Sequence, residues 1–180
     1  MSILLIIYTG LRVEVSVVPR SGRVVDDIDA RILQALTGDP RATVVALAQA
    51  TGLARNTVQS RLAKFERDGV LRSFERCINP AVLGYPLAAF VLVAVTQRKL
   101  GPIGDALELI PEVLEVHGLS GATDLLVQIV ARDADDLYRV AGQILHIDGV
   151  EKTTTGLVMR RLVDFRLTPL LESIAEEPTP

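Results

Sequence analysis

The chain carries two different spacings of apolar residues, and the change between them falls near residue 86. From residue 26 to residue 69, apolar positions recur every three or four residues, which is the spacing of amphipathic helices. We predict three helices in this stretch. The first is capped by Asp26 or Asp27, and the Gly-Asp-Pro sequence at 38–40 stops it.

The second helix is short and follows Thr43, a residue type that favours helix caps. A tight connection at 51–53 leads into the third helix, which runs to about Asp68 and is ended by Gly69. The sequence VLRSFERCI at 70–78 then alternates apolar and polar residues, as a half-buried strand does. Three helices followed by a strand or hairpin are typical of a winged helix-turn-helix.

After residue 86 the pattern alternates between strands and helices. We predict a buried strand at LAAFVLVAV and a helix at IGDALELI that ends before Pro111. Two strands follow, VLEVHGLS and LLVQIVAR, joined through a hairpin connection at 121–124. A helix capped by Asp133 and ended by Gly149 precedes a long last strand, VEKTTTGLVMRRLVDFRL. The order β-α-β-β-α-β predicts a ferredoxin-like domain, so the whole chain has an α+β fold.

These elements divide the chain into five parts. We predict an N-terminal extension, a winged helix-turn-helix domain, a linker, a ferredoxin-like domain and a C-terminal tail, at residues 1–25, 26–78, 79–86, 87–167 and 168–180. The extension is either an added strand or a piece from upstream of the true start codon. Its apolar run at 3–7 is too short to cross a membrane and lacks the features of a signal peptide. We therefore expect a cytoplasmic protein with no membrane partner.

Charge changes this picture more than composition does. The apolar fraction of 49% fits a globular protein with an aliphatic core. The formal net charge is only −3, but it is unevenly spread. Residues 55–76 carry six basic and three acidic side chains, a net of +3, whereas residues 101–151 carry two basic and ten acidic ones, a net of −8. The sequence therefore predicts two domains with different partners, and DNA stays possible because phosphates respond to local charge.

Motifs that carry enzyme chemistry are missing from the sequence. It has no nucleophile motif, no phosphate-binding glycine loop and no cluster at metal-ligand spacing. A single cysteine, Cys77, excludes an internal disulfide framework and a cysteine-based zinc site. The two histidines, His117 and His146, are too far apart to form a helical pair of ligands. We predict a protein that is not an enzyme and that uses no cofactor or metal.

The order and spacing of these motifs resemble the Lrp/AsnC family, the feast/famine transcription regulators. The resemblance covers about residues 26–166. DDIDARILQAL, DPRATVVALAQATGLARNTVQSRLAKFERDGVL and INPAVLG resemble the family's helix-turn-helix, while the GATD loop and GVEKTTTGLVM resemble its ligand-sensing (RAM) domain. The resemblance implies a regulator that binds double-stranded DNA and whose assembly or DNA binding responds to a small effector, an amino acid. It also implies dimers that assemble further, often to octamers, with effector pockets between dimers.

Two positions depart from the family pattern. Where the family usually has serine before the recognition helix, this chain has Ala54, which cannot accept a hydrogen bond from the free helix N–H groups. The loss costs about 0.5–2 kcal/mol relative to a good cap. We predict that Asn56 and Gln59 form an alternative capping box two residues later. Where the family often has an aromatic residue in the sensing loop, this chain has Thr123, so the effector stays open.

The third helix is the predicted DNA-reading element. Its apolar positions face the core, and its polar positions face the opposite side. We predict that Asn56 and Gln59 read adenine and that Arg55 reads guanine. The other candidate DNA contacts, most of them suited to phosphates, are Arg41, Thr43, Ser60, Arg61, Lys64 and Arg67. The structural alternative is a solvated basic face on a core helix. Arg72 and Arg76, on the wing, either contact the DNA backbone or are solvated.

An amino-acid effector needs an acceptor for its ammonium group and donors for its carboxylate. We predict Asp124 as the acceptor and the backbone N–H groups of the loop before it as donors, since glycine permits close approach. Hydroxyl groups from the last strand can add contacts. The candidate effector-binding residues are Gly121, Ala122, Thr123, Asp124, Thr153, Thr154 and Thr155. The alternative is that the loop only builds a hairpin turn and that the threonines only suit a strand.

The predicted strands are apolar on both faces, since apolar residues lie close together along them: Phe90, Leu92, Val93 and Val95 in one strand, and Leu125, Leu126, Val127 and Ile129 in another. Helices cover only one face of a βαββαβ sheet. Packing against a second copy is the simplest way to bury the other, so we predict a homodimer through this domain. An alternative for the whole protein is a ligand-binding or assembly module whose DNA helix has decayed, and Ala54 is the only residue that favours it.

Overall fold

A computed structural model describes residues 25–176, which divide into two compact units. The described part of one unit comprises residues up to Arg76 together with those from Val163 onwards, and the other comprises residues 77–162. Apart from Val25, the predicted N-terminal extension lies outside the described residues. We call the first the DNA-binding unit and the second the sensing unit, after their predicted roles.

The DNA-binding unit contains the three predicted helices, α1 (Asp27–Gly38), α2 (Val44–Thr51) and α3 (Arg55–Arg67). Local capping explains where the first two begin. Asp26 accepts a hydrogen bond from the Asp29 amide at 2.7 Å, and the Asp29 carboxylate accepts one from the Asp26 amide, which completes a capping box. Thr43 accepts a hydrogen bond from the Ala46 amide at 3.2 Å. The fully or nearly fully buried core residues are Ile32, Leu47, Ala48, Val58 and Phe65.

Two predictions around α3 are wrong. The helix begins at Arg55 after an extended Ala54 that makes no side-chain cap, so Asn56 already lies inside the helix and forms no capping box with Gln59. The segment 70–78 forms no strand in the described structure; residues 74–77 make a short 3-10 turn instead. Val70 still packs against the three-helix core, but Leu71, Phe74 and Ile78 are exposed. An alternating pattern forms a strand only where a neighbouring strand and a core are present to receive it.

The sensing unit has the predicted element order and a four-stranded antiparallel sheet with strand order β2-β3-β1-β4. Both helices pack on one face, where side chains from alternate strand positions meet Ile103, Leu107, Val140 and Ile144. This confirms the ferredoxin-like arrangement. The elements are β1 (Leu87–Val95), α4 (Leu100–Glu108), β2 (Val113–Gly118), β3 (Leu125–Ala131), α5 (Ala134–Leu145) and β4 (Val150–Leu157).

The second face of the sheet carries apolar side chains that no helix covers. Along β1, Ala89, Val91 and Val93 are buried, whereas the alternating Phe90 and Leu92 are 40% and 37% exposed. The register places Thr154 beside Leu92 and Gln128 beside Phe90, so this face is mixed in character with an apolar centre. The sequence argument for an uncovered apolar face therefore holds in the single chain.

The C-terminal part differs from the prediction. The last strand ends at Leu157 rather than continuing to residue 167, because its neighbour β1 begins at Leu87 and the last backbone hydrogen bond, from Val158 N to Ala88 O, closes the pairing. Beyond that point no strand of the described sheet lies alongside. The predicted tail instead begins with a helix, α6 (Thr168–Glu176), which packs against α1 in the DNA-binding unit.

Asp136, in the first turn of α5, is buried between two arginines. Its carboxylate accepts hydrogen bonds from Arg132 Nε at 3.1 Å, from the Arg132 amide at 3.0 Å and from Arg139 Nη2 at 2.7 Å. The Arg132 guanidinium and amide, together with Arg139, hold the pKa of Asp136 well below its usual range. Ionised Asp136 therefore stabilises the start of α5 against the sheet.

We expect acid to weaken the sensing unit through this residue. Because the pKa of Asp136 is lower in the folded state than its unfolded value of about 3.9, its contribution is complete above that pH and is lost as the pH falls through the folded value. Asp136→Asn should reduce amide protection in the sensing unit at pH 7 and should flatten the further loss below about pH 4. Hydrogen exchange between pH 7 and pH 3 measures both. Glu108→Gln, an exposed carboxylate on α4, is the control, and equal behaviour of the two variants would contradict the expectation.

Candidate DNA-binding and effector sites

The first two turns of α3 present a polar surface. Arg55, Asn56, Gln59 and Ser60 are all exposed there, while Val58 on the opposite side is fully buried. Burial of the apolar side fixes which side of the helix faces outward. The structure therefore brings together, on one exposed surface, the residues that the sequence proposes for base contacts.

Arg61 and Lys64, both predicted to contact DNA, form ion pairs with carboxylates of the same unit. Arg61 Nη1 donates to Asp26 Oδ2 at 2.5 Å and to Asp29 Oδ1 at 2.8 Å, and Lys64 Nζ donates to Asp29 Oδ2 at 3.1 Å. Asp29 is fully buried. These ion pairs join α3 to the start of α1, so two of the proposed phosphate contacts also hold the helix in place.

The charges in this cluster affect one another. Burial of the Asp26 carboxylate opposes its ionisation, but hydrogen bonds from the Asp29 amide and from the Arg61 guanidinium outweigh that effect, so the pKa of Asp26 is lowered. The hydrogen bond to Asp26 likewise raises the pKa of Arg61. Two cations and two carboxylates leave this cluster with no net charge.

The remaining predicted phosphate contacts lie on the surface. Arg41 is exposed after the turn that follows α1, and its amide donates to Asp39. Thr43 caps α2 with its hydroxyl oxygen, which leaves the hydroxyl hydrogen able to donate. Arg67, in the last turn of α3, forms an exposed ion pair with Asp68 at 3.1 Å.

The turn between α2 and α3 is fixed by a residue that the sequence did not single out. Arg31, from α1, donates to the backbone carbonyl of Thr51, the last residue of α2. Gly52 follows with φ +69°, a backbone conformation that side-chain-bearing residues rarely adopt. The turn thus sets the angle at which α3 follows α2. This contact cannot be predicted from the sequence, because a single arginine in a helix is usually a solvated surface residue.

The sensing loop between β2 and β3 is held at its end by Asp124. The Asp124 carboxylate accepts a hydrogen bond from the Val95 amide at 2.8 Å through Oδ2 and one from the Gln97 side-chain amide through Oδ1. Its own amide donates to Val93 O at 3.0 Å. The structure therefore gives Asp124 the role of closing the hairpin onto β1. Gly121 and Ala122, before it, are exposed, and Thr123 is half-buried.

Within one chain, the three threonines of β4 are separated from the strand that follows this loop, β3, by strand β1. Their register places Thr153 and Thr155 opposite the buried Val93 and Val91, and Thr154 on the uncovered face. Because β1 lies between β4 and β3, two strand spacings of together about 10 Å separate the threonines from the loop strand. Thr153 and Thr155 instead line a groove of about 870 Å³ along α5, with Leu137, Tyr138 and Leu145.

Within residues 25–176 the structure shows neither a membrane-spanning helix nor a cluster of metal-binding side chains. No helix in this range has the length and apolar character to cross a membrane. The same residues include no group of three or more His, Cys, Asp or Glu side chains placed to hold a metal ion.

Two family models match the chain, one on each side of the linker. A winged helix-turn-helix DNA-binding model matches residues 25–72, and an Lrp/AsnC ligand binding domain model matches residues 88–168. Among similar proteins, the HTH-type transcriptional regulator FL11 of Pyrococcus horikoshii is 34% identical over 135 residues, which cover 75% of this chain and 89% of FL11.

Solved structures are similar as well. Escherichia coli AsnC has a TM-score of 0.73 at 25% identity, and the match covers 82% of this chain and all of that one. A transcriptional regulator from Neisseria meningitidis, solved as a complex with L-methionine, has a TM-score of 0.70 at 26% identity, with coverage of 78% of this chain and 93% of that one.

Proposed function

Since the chain belongs to the Lrp/AsnC family of transcriptional regulators, we propose that it reads DNA through the exposed start of α3 and that an amino acid bound by the sensing unit controls this activity. The observation that carries the proposal is the two-sided α3. Its buried side, with Val58 and Phe65, fixes the helix, while Asn56 and Gln59 face outward. The proposed regulator acts in the cytoplasm and needs no catalytic site.

Base and phosphate contacts come from different parts of the unit. Asn56 and Gln59 each present an amide that pairs with adenine, and Arg55 pairs with guanine. Phosphates are bound by Arg41, Thr43, Ser60 and Arg67 around them. Arg61 and Lys64 add little to the salt dependence of binding because Asp26 and Asp29 already compensate their charge.

The effector is bound at the sensing loop. Asp124 Oδ1 is the acceptor for the ammonium group, because its protein partner is the side chain of the exposed Gln97, which a ligand can displace. The backbone N–H groups of Gly121, Ala122 and Thr123 bind the carboxylate. The L-methionine complex of the Neisseria regulator supports an amino acid as the class of effector. Thr153, Thr154 and Thr155 add contacts only where a second chain brings them near another loop.

If Gln97 and the ligand compete for Asp124, substitutions of these two residues should change ligand affinity in opposite directions. Gln97→Ala should tighten L-methionine binding several-fold, because the acceptor is freed. Asp124→Asn should weaken it by about 10- to 100-fold, since a hydrogen bond to a charged group contributes about 1.5–3 kcal/mol. Titration calorimetry measures both effects, with Arg98→Ala as the control in the same turn. Equal affinities in all three variants would leave Asp124 only its turn-building role.

The uncovered sheet face is proposed as the dimer interface, and dimers assemble further, to octamers. Phe90→Glu combined with Leu92→Glu should convert dimers to monomers, because burying two carboxylates against a second copy is unfavourable. Sedimentation velocity reports the change, and circular dichroism checks the fold. Leu109→Glu, which adds a carboxylate at an exposed leucine on the helix side, is the matched control. A dimer that survives the double substitution would place the interface elsewhere.

The proposed function is tested by binding to DNA from the gene's own upstream region, across a salt series and with a panel of amino acids. We expect salt-sensitive, sequence-preferring binding that one amino acid shifts. Binding that no amino acid shifts would remove effector control. No binding by a folded, oligomeric protein would favour the alternative of a sensing module with a decayed DNA helix.

A further inference from the structure

The C-terminal helix α6 lies almost entirely outside the two regions that match family models, which end at residues 72 and 168. It is amphipathic. Leu171, Ile174 and Ala175 are half-buried on one side, whereas Leu170, at 62% exposure, and Glu172 face solvent. Within the DNA-binding unit α6 packs against α1. The half-buried side of α6 is therefore the side that meets α1.

Helix α1 has a second packing side suited to this contact. Ile28, Ile32 and Leu36 face the three-helix core. Ala30 is also fully buried, but it does not belong to that core. At about 100° per residue it lies about 200° around the helix from Ile28, on the opposite side. A buried alanine on the far side of a helix permits the close approach of another helix. Because α2 packs on the core side, we assign the side of Ala30 to α6.

Two separate segments of the chain, one before and one after the sensing unit, therefore build the DNA-binding unit. Residues 68–86 lead from α3 to β1, and residues 158–167 lead back from β4 to α6. The second connection starts at the sheet itself, since Val158 still donates to Ala88 of β1. A unit attached by one connection is free to turn about it. A second connection limits the range of that motion, because ten residues span at most about 35 Å.

We propose that α6 is the second attachment through which the sensing unit acts on the DNA-binding unit, so that effector control requires α6 to be docked on α1. The inference rests on the proposed effector control and adds the element that transmits it. The effector can change DNA affinity only if it binds the DNA-bound and the DNA-free protein with different free energies. Docked α6 supplies that link, because it ties the end of β4 to the helix that holds α3 through Asp26 and Asp29.

The test uses the full-length protein with Leu171→Asp and Ile174→Asp, compared with Leu170→Asp on the exposed side of the same helix. Hydrogen exchange measures the protection of α1, and DNA binding is measured with and without the amino acid that shifts the wild type. Allosteric effects of this kind are typically about 5- to 150-fold. We expect the double variant to lose protection in α1 and to respond less than about 2-fold, while Leu170→Asp responds like the wild type. Leu171→Ala with Ile174→Ala is the milder pair if the aspartates prevent folding.

The outcomes separate the two proposals. A double variant with lost α1 protection and a full effector response would overturn the role of α6, and so would unchanged protection of α1. In either case the effector control itself stands, because the wild type shows it. A wild type that binds DNA but responds to no amino acid would instead remove effector control, and the role of α6 with it.

Discussion

Replacing Asp29 by alanine is expected to lower the free energy of unfolding of the DNA-binding unit by about 3 kcal/mol. Asp29 is fully buried and accepts from Arg61 and Lys64, and it also closes the capping box of α1. Breaking a buried ion pair by removing one partner costs about 3–5 kcal/mol. The lower end applies here because the side chains of Arg61 and Lys64 are 25% and 29% exposed and regain some water.

The measurement is urea unfolding followed by a probe placed in α3, so that the DNA-binding unit is observed separately. Glu66→Ala is the matched control: it removes an exposed carboxylate from α3 and should change stability by less than about 0.5 kcal/mol. A loss for Asp29→Ala no larger than that of the control would mean that the ion pairs contribute nothing to the fold.

Replacing Asn56 and Gln59 together by alanine is expected to weaken specific DNA binding about 30-fold or more, because each bidentate amide–adenine pair discriminates by about 1–3 kcal/mol. Alanine is at least as good a helix former as either residue, so the unit should stay folded. Binding to unrelated DNA should change little, since phosphates dominate it.

Fluorescence anisotropy with specific and unrelated duplexes separates the two effects. Arg61→Ala provides the contrast: its main cost should fall on stability, since its guanidinium is held by Asp26 and Asp29. An equal loss on both duplexes for Asn56→Ala/Gln59→Ala would show that these amides do not read bases.

Much of the fold followed from local signals. The caps at Asp26, Thr43 and Asp133 are short-range hydrogen bonds, and the structure contains all three. Short strand-like segments bounded by turn residues were sufficient to predict the four strands of the sensing unit, although the last one ends ten residues earlier than predicted. The hairpin turn closed by Asp124 was likewise predictable, as the alternative to an effector-binding loop.

The contacts that the sequence could not show join residues that are distant in sequence. Arg61 lies 35 residues from Asp26, so its position in a basic helix indicates phosphate contact more readily than an ion pair. The pattern at 158–167 is that of a strand, but the neighbour needed to continue pairing ends at Leu87. The sequence places Thr153, Thr154 and Thr155 in one candidate site because they are adjacent, whereas adjacent strand residues point to opposite faces of a sheet.

The proposed separation of roles on α3, base reading on one side and attachment on the other, would make operator preference easy to change. Arg61 and Lys64 hold the helix, together with its buried apolar side, whereas Asn56, Gln59 and Ser60 carry no part of that support in the described structure. Substitutions at the three outward positions can therefore accumulate without loss of stability. A library randomised at these positions should yield folded regulators with new target sequences, and related chains can diverge in their targets while keeping the same scaffold.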